Sequence, residues 1–331
     1  MMGFPINVVD SSTGFKFSYD SDLQNMRTAD AGIAFYISQL TNLEAKVYET
    51  LYPDIIFDEL VPVNTSDPEW IDQVAYMSFN GVTMGKFIAA NGRDLPQSDI
   101  DASISYIPVN YAGNSYGYSL EELRKAAAMR IPLDVAKARI TYRGAMQHSQ
   151  QVAFFGDAAR NMYGLFNHPN VPLDNSTINW NTATGAEMVA ALNSLLIKVW
   201  NQSQTRHVAN TLLLPTTIWS IISSKRMDTG TDTTVLEFFR RNNNSTGVTG
   251  QPLDIRAVLW LNDAGTAGAP RMMAYEKNED NLTMRNPIPW RSLPPQATAL
   301  RLEVPCEYKI SGTEFRYPLS AAYRDLVAPT V

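Results

Sequence analysis

Residues 74–82, VAYMSFNGV, read as a strand, and residues 100–111, IDASISYIPVNY, read as a second strand returning beside it. On the returning limb Ile100, Ala102, Ile104 and Tyr106 alternate with Asp101, Ser103 and Ser105, the period of a half-buried strand. The excursion between them, TMGKFIAANGRDLPQSD (83–99), follows Gly81 and contains Gly85 and Gly92, which give a tip conformational freedom. NSYGYSLEELRKAAAMR follows at 114–130, where Ser119 and Glu122 form a capping-box signature at a helix start. The next stretch, IPLDVAKARITYRGAMQHSQQVAFFG (131–156), predicts a helix over 132–155, roughly 36 Å long at 1.5 Å per residue. Pro132 suits its first position, Val135, Ala138, Tyr142, Ala145, Ser149 and Val152 share one face, and Gly156 ends it. A long two-stranded flap beside one long helix has little core of its own. This order of elements therefore points to a neighbouring subunit and to assembly.

Outward from that stretch, residues 1 to 28 are polar without helical period and read as an extended arm, with a helix expected from Asp30 to Tyr52. IIFDELVPV (55–63) reads as a short strand, and VPLDNSTINWNTA (171–183) as a polar linker. From 185 to 282 the pattern is α/β: a helix at 186–201, a strand at TLLLP, helices at TTIWSIISSK and TVLEFFRR, and strands at LDIRAVLWL and PRMMAYEK. MDTGTDTT and NNNSTGVTGQP interrupt it with loop chemistry. Near the end Leu300, Leu302, Val304, Cys306, Tyr308 and Ile310 alternate with charged residues, a long strand with one side buried. The fold class is α+β.

The chain has 331 residues, enough for two subdomains, and carries 18% charged residues with a net charge of −6. Sequence-independent binding of nucleic acid by the whole chain is not expected from an acidic protein. A single cysteine rules out an internal disulfide framework. The first residues do not read as a secretory signal, and no apolar run is long enough to span a membrane. His148, His168 and His207 lack the spacing of a zinc site, so neither metal nor cofactor is expected. Asp228-Thr229-Gly230-Thr231 matches the short aspartic-peptidase signature, but the aspartate does not follow an apolar strand and the chain has no second copy. The loop reading wins, with an aspartic-type hydrolase using Asp228 as the enzymatic alternative. Arg124, Lys125, Arg130, Lys137, Arg139 and Arg143 outweigh Asp134 along 124–156, which makes Lys137 and Arg143 candidates for a helix side facing nucleic acid.

YPDIIFDELVPV, MGKFIAANGRDLP, NSYGYSLEELRKA, IPLDVAKAR and FFGD…YGLFNHPNV together resemble the major capsid proteins of tailed bacteriophages, with the Hong Kong 97 coat-protein fold. The resemblance is dense over 45–172 and looser toward the C-terminus. It implies an N-terminal arm and helix (1–50), an extended loop (69–112), and a peripheral domain (51–68 and 113–184, completed by 283–331) built on a spine helix at 132–155. The axial domain would be 185–282. It implies inter-subunit contacts through Met84, Lys86, Phe87 and Arg93 on the loop, and through Asp228, Asp232 and Asn243 near the capsomer axis. The implied partners are other copies of the chain, as pentamers and hexamers of an icosahedral shell. Packaged double-stranded DNA would be touched only weakly, with a scaffolding protein, portal and decoration proteins as candidate further partners, and no membrane. No acidic prodomain precedes the arm, so an internal scaffold cleaved from this chain is not expected. The protein is expected to be structural, not enzymatic, in a virion assembled in the bacterial cytoplasm. A shell protein of an encapsulin-like compartment is the nearest alternative.

Overall fold

The computed structural model describes residues 7–9, 16–18, 54–80, 101–119, 121–122, 133–228, 230–298 and 301–326. The chain divides into two units, one of Met1–Asp54, Asn114–Gly144 and Ser292–Cys306, the other of Ile55–Gly113, Ala145–Arg291 and Glu307–Val331. The strand Asp101–Ser119, the helix Leu133–Phe155 and the strand Arg301–Ser311 run from one into the other.

In the larger unit, Thr211–Pro215 lies inside a five-stranded sheet ordered Asp254–Val258, Thr211–Pro215, Arg271–Tyr275, Ala321–Asp325, Leu173–Asn175. TLLLP and RMMAY are buried at every position, because both faces of the sheet are covered. Successive side chains therefore enter different cores. Leu213, Met273, Tyr275 and Tyr323 join a cluster with Phe57, Val152, Phe154 and Phe166. Leu212, Leu214, Met272, Ala274 and Ala322 join a second cluster with Leu192, Leu196, Ile218 and Phe239, on the helices Gly185–Gln202, Thr216–Ser224 and Val235–Arg241. The first of these helices starts on a capping box, Thr184 with Glu187.

One ion pair crosses this sheet. Arg271 and Asp325 stand opposite each other in register and are both buried, with Nε–Oδ1 at 2.6 Å and Nη2–Oδ2 at 3.0 Å. Arg271 also donates to the Phe166 carbonyl, and Asp325 accepts from the Thr266 amide and hydroxyl, so both charges have further hydrogen bonds. Burial alone would raise the Asp325 pKa; the donors of Arg271 and Thr266 outweigh it and hold the carboxyl below its ordinary value.

Several expectations change. FDEL is a helical turn, Phe57–Leu60, and only Val63–Asn64 is extended. The turn places Phe57 and Leu60 in the core, and its two acids stand at the positive end of the helix dipole. The polar linker contains the edge strand Leu173–Asn175 and a buried Trp180, and the break at 242–251 contains the helix Asn244–Thr249. The C-terminal strand Ala321–Asp325 belongs to the same sheet as Thr211–Pro215. The helix expected over 30–52 lies outside the described residues; of the arm, Asn7–Val9 pairs antiparallel with Lys16–Ser18. On the long helix, Ala145, Ser149 and Val152 are buried as expected, whereas Tyr142 is exposed.

Beyond the long helix the chain doubles back tightly. A Cβ on Gly164 would stand 2.2 Å from the Phe154 carbonyl oxygen, and the amides of Leu165 and Phe166 donate to Ala153 and Phe154. Gly164→Ala should therefore cost about 2–3 kcal/mol and lower the Tm by roughly 5 °C or more, read by calorimetry.

His168 follows in the turn, its ring 5.5 Å from that of Tyr163 and 5.1 Å from that of Phe315. Burial lowers its pKa to about 4, against about 6.5 for an unfolded chain. The folded value is the lower one, so the stabilisation is complete above about pH 6.5 and is lost as pH falls through about 4. In urea titrations, wild type should lose stability over that window while His168→Gln loses markedly less.

Candidate assembly surface

The flap is built as its alternation requires. Gln73–Asn80 pairs antiparallel with Asp101–Ser119 in an unbroken register, with Met77 opposite Ile104 and Ala75 opposite Tyr106. These four side chains share one face. Met77, Ile104 and Tyr106 are 59%, 51% and 65% exposed, and Trp70, ahead of the flap, is 80% exposed. The opposite face, with Val74, Tyr76 and Ile107, is half-buried. The flap thus shows solvent the side that its pattern marks for burial. Its returning strand outruns the expected 100–111 and ends at the Ser119 cap, where Ser119 and Glu122 exchange hydrogen bonds of 3.0 and 3.1 Å.

The root of the flap is held by charge. Arg291 grips Glu69 with two bonds of 2.9 Å and Glu307 with one of 2.5 Å, and the Tyr111 hydroxyl donates to the same Glu307. These interactions hold Glu307 below its ordinary pKa, the Tyr111 bond first and Arg291 next.

Of the residues expected at inter-subunit contacts, Met84, Lys86, Phe87 and Arg93 lie outside the described residues. Asp228 is exposed on the turn between Arg226 and Thr234, after the helix Thr216–Ser224 and not after a strand, and Asp232 is 99% exposed. Asn243, in contrast, is bonded within the chain. Its side chain is buried, accepting from the Thr246 amide at 2.8 Å and donating to the carbonyls of Phe239 and Arg240, so it caps one helix and closes the one before. Lys137 has partners within its own chain. Its ammonium donates to the Gly117 carbonyl at 2.9 Å and to Glu122 at 3.1 Å, and lies 4.4 Å from the centre of the Tyr118 ring. That cation clamps the long helix to the end of the flap strand; Arg143, one and a half turns on, is half-buried.

Cys306 is buried, and burial raises its thiol pKa, which leaves it unreactive. The histidines are dispersed: His148 bonds Tyr308 at 2.8 Å and His207 bonds Glu276 at 2.6 Å. Among the described residues no three His, Cys, Asp or Glu side chains are grouped to hold a metal, and no helix is long and apolar enough to cross a membrane.

A family model described as "Major capsid protein" matches residues 84–327, well over half of the chain. The chain belongs to the major capsid protein family. Among solved structures, the capsid of Myoviridae Phage XM1 superposes with a TM-score of 0.76 at 14% identity, over 87% of this chain and 97% of that one. A Mycobacterium phage Ogopogo chain matches at 0.57 and 10% identity over 88% and 99%. The capsid of a native GTA particle matches at 0.56 and 10% over 86% and 94%. A comparison with curated protein sequences finds no match. At such identities these likenesses establish the fold, which is that of phage capsid proteins, as the family resemblance had implied. That family is a structural one.

The in-chain role of Lys137 makes a prediction. Lys137→Met should lower stability by about 1–2 kcal/mol in denaturant titrations, with no change in the nucleic acid carried by assembled particles.

Proposed function

We propose that this capsid protein associates with itself as pentamers and hexamers of an icosahedral shell around double-stranded DNA, each flap lying across a neighbouring subunit. The observation that carries the reading is the exposed apolar face of the flap, Met77, Ile104 and Tyr106, on a member of a capsid family. A second copy of the chain buries that face, and flaps repeated around a ring give closed symmetry. The net charge of −6 suits a wall that touches DNA only weakly. In this reading the long helix is the spine of a peripheral domain, 185–282 forms most of the axial domain, and the exposed loop with Asp228 and Asp232 meets its neighbours near the capsomer axis. The shell assembles in the host cytoplasm and becomes the wall of the virion.

The test separates folding from assembly. Tyr106→Asp with Met77→Lys, and separately deletion of 80–98, should each leave the far-ultraviolet circular dichroism of the body intact. Both should abolish the rings and closed shells that wild type gives in negative-stain electron microscopy. Normal shells from both variants would remove the flap from the assembly contact.

A further inference from the structure

Between Val63–Asn64 and the first flap strand the chain runs along the body as a strap, and its residues from 64 to 73 are all exposed or only half-buried. Backbone bonds hold its two ends: the Asn286 amide donates to the Asn64 carbonyl at 2.8 Å and the Val109 amide to the Asp72 carbonyl at 2.9 Å. The strap carries three acids, the last of them at its second end, and each meets a cation of the body. Arg285 reaches Asp67 at 2.8 Å, Arg291 takes Glu69 in a two-pronged grip, and Lys309 reaches Asp72 at 2.9 Å. Lys309 also donates to the Glu69 carbonyl at 3.3 Å.

The two sides of this contact are not alike. The side chains of Arg285 and Lys309 are only 8% and 6% exposed, while that of Asp72 is 88% exposed. Two of the cations keep a carboxylate of the body whether or not the strap is in place: Arg285 has Glu314 at 3.1 Å, and Arg291 has Glu307. Lifting the strap therefore breaks charge pairs without opening the apolar core, and leaves two of its three receptors neutralised.

We propose that residues 65–72 form an electrostatic latch: Asp67, Glu69 and Asp72 dock on Arg285, Arg291 and Lys309 and fix the direction of the flap, and the segment detaches as a unit when those pairs are weakened. In DPEWID the acids are interleaved with exposed Pro68 and Trp70 and half-buried Ile71, none of them in a core cluster, which fits a segment whose side chains attach by charge. The latch stands without the assembly reading. Its consequence, that one chain can aim its flap differently at non-equivalent places in a shell, rests on that reading.

A spin label on Ser66→Cys of the full-length, unassembled chain reads the latch directly, since Cys306 is buried; a label on Ser223→Cys, on a helix surface, is the control. Low salt should give an immobilised spectrum at 66. Combining Asp67→Asn, Glu69→Gln and Asp72→Asn should abolish that immobilised component and leave the spectrum at 223 unchanged. Raising salt on the wild-type acids should shift the spectrum at 66 in the same direction but less far, because buried Arg285 and Lys309 are screened weakly. An unchanged spectrum at 66 in the triple variant would overturn the latch. So would loss of the folded body in that variant, seen as motion at 223, because the strap would then be inseparable from the core. The measurement is made on single chains, so its result does not depend on whether shells form.

Discussion

A strand with one apolar face must bury that face, and among the described residues of this protein nothing covers the apolar face of the flap. Met77, Ile104 and Tyr106 line up across two paired strands and stay open to solvent. Such a ribbon has to be carried by something stiff and aimed by something specific, and in the proposed function it gains its apolar stabilisation on association.

Stiffness comes from the body. The five-stranded sheet is covered on both faces, so alternate residues of TLLLP and RMMAY tie two cores into one layered block. The Arg271–Asp325 pair locks neighbouring strands in register, and its additional donors and acceptors link the sheet to the turn after the long helix. Leaving either charge alone in that interior would cost several kcal/mol, so the pair specifies one register more than it adds stability. The long helix enters this block through Ala145, Ser149 and Val152, while at its other end Lys137 clamps it to the flap strand.

Aim comes from charge. Where the flap leaves the body the side-chain contacts are carboxylates on arginine and lysine, and they are directional. An apolar docking at the same place would bind the flap root permanently to one pose. Ion pairs along a surface strap hold a direction while leaving the core undisturbed on release, which suits the proposed latch. The same economy appears in Asn243 and Lys137, polar side chains whose bonding serves the chain's own geometry.

Periodicity is a local property, and the sequence alone determined what local patterns can: the flap strands, the long helix with Gly156 after it, the cap of Ser119 with Glu122, the helices and strands of the α/β region, and the buried alternation from Val304 to Ile310. It also carried the family resemblance, because the flap and the following helix lie in one continuous run. Pairing between distant segments was not legible. Leu173–Asn175 is too short and polar to show a period, and becomes a strand only because Ala321–Asp325 offers it an edge. FDEL looked extended beside IIF and VPV, and became a turn of helix because Phe57 and Leu60 reach the core together from that geometry. The charge pattern on the long helix suggested a face toward nucleic acid, yet the partner of Lys137 depends on how the flap strand ends beside it. Asp67 and Arg285 are 218 residues apart, and no local spacing encodes such a pair. Tertiary structure decided which charges meet, because attraction between ions depends on distance in space and not on distance along the chain.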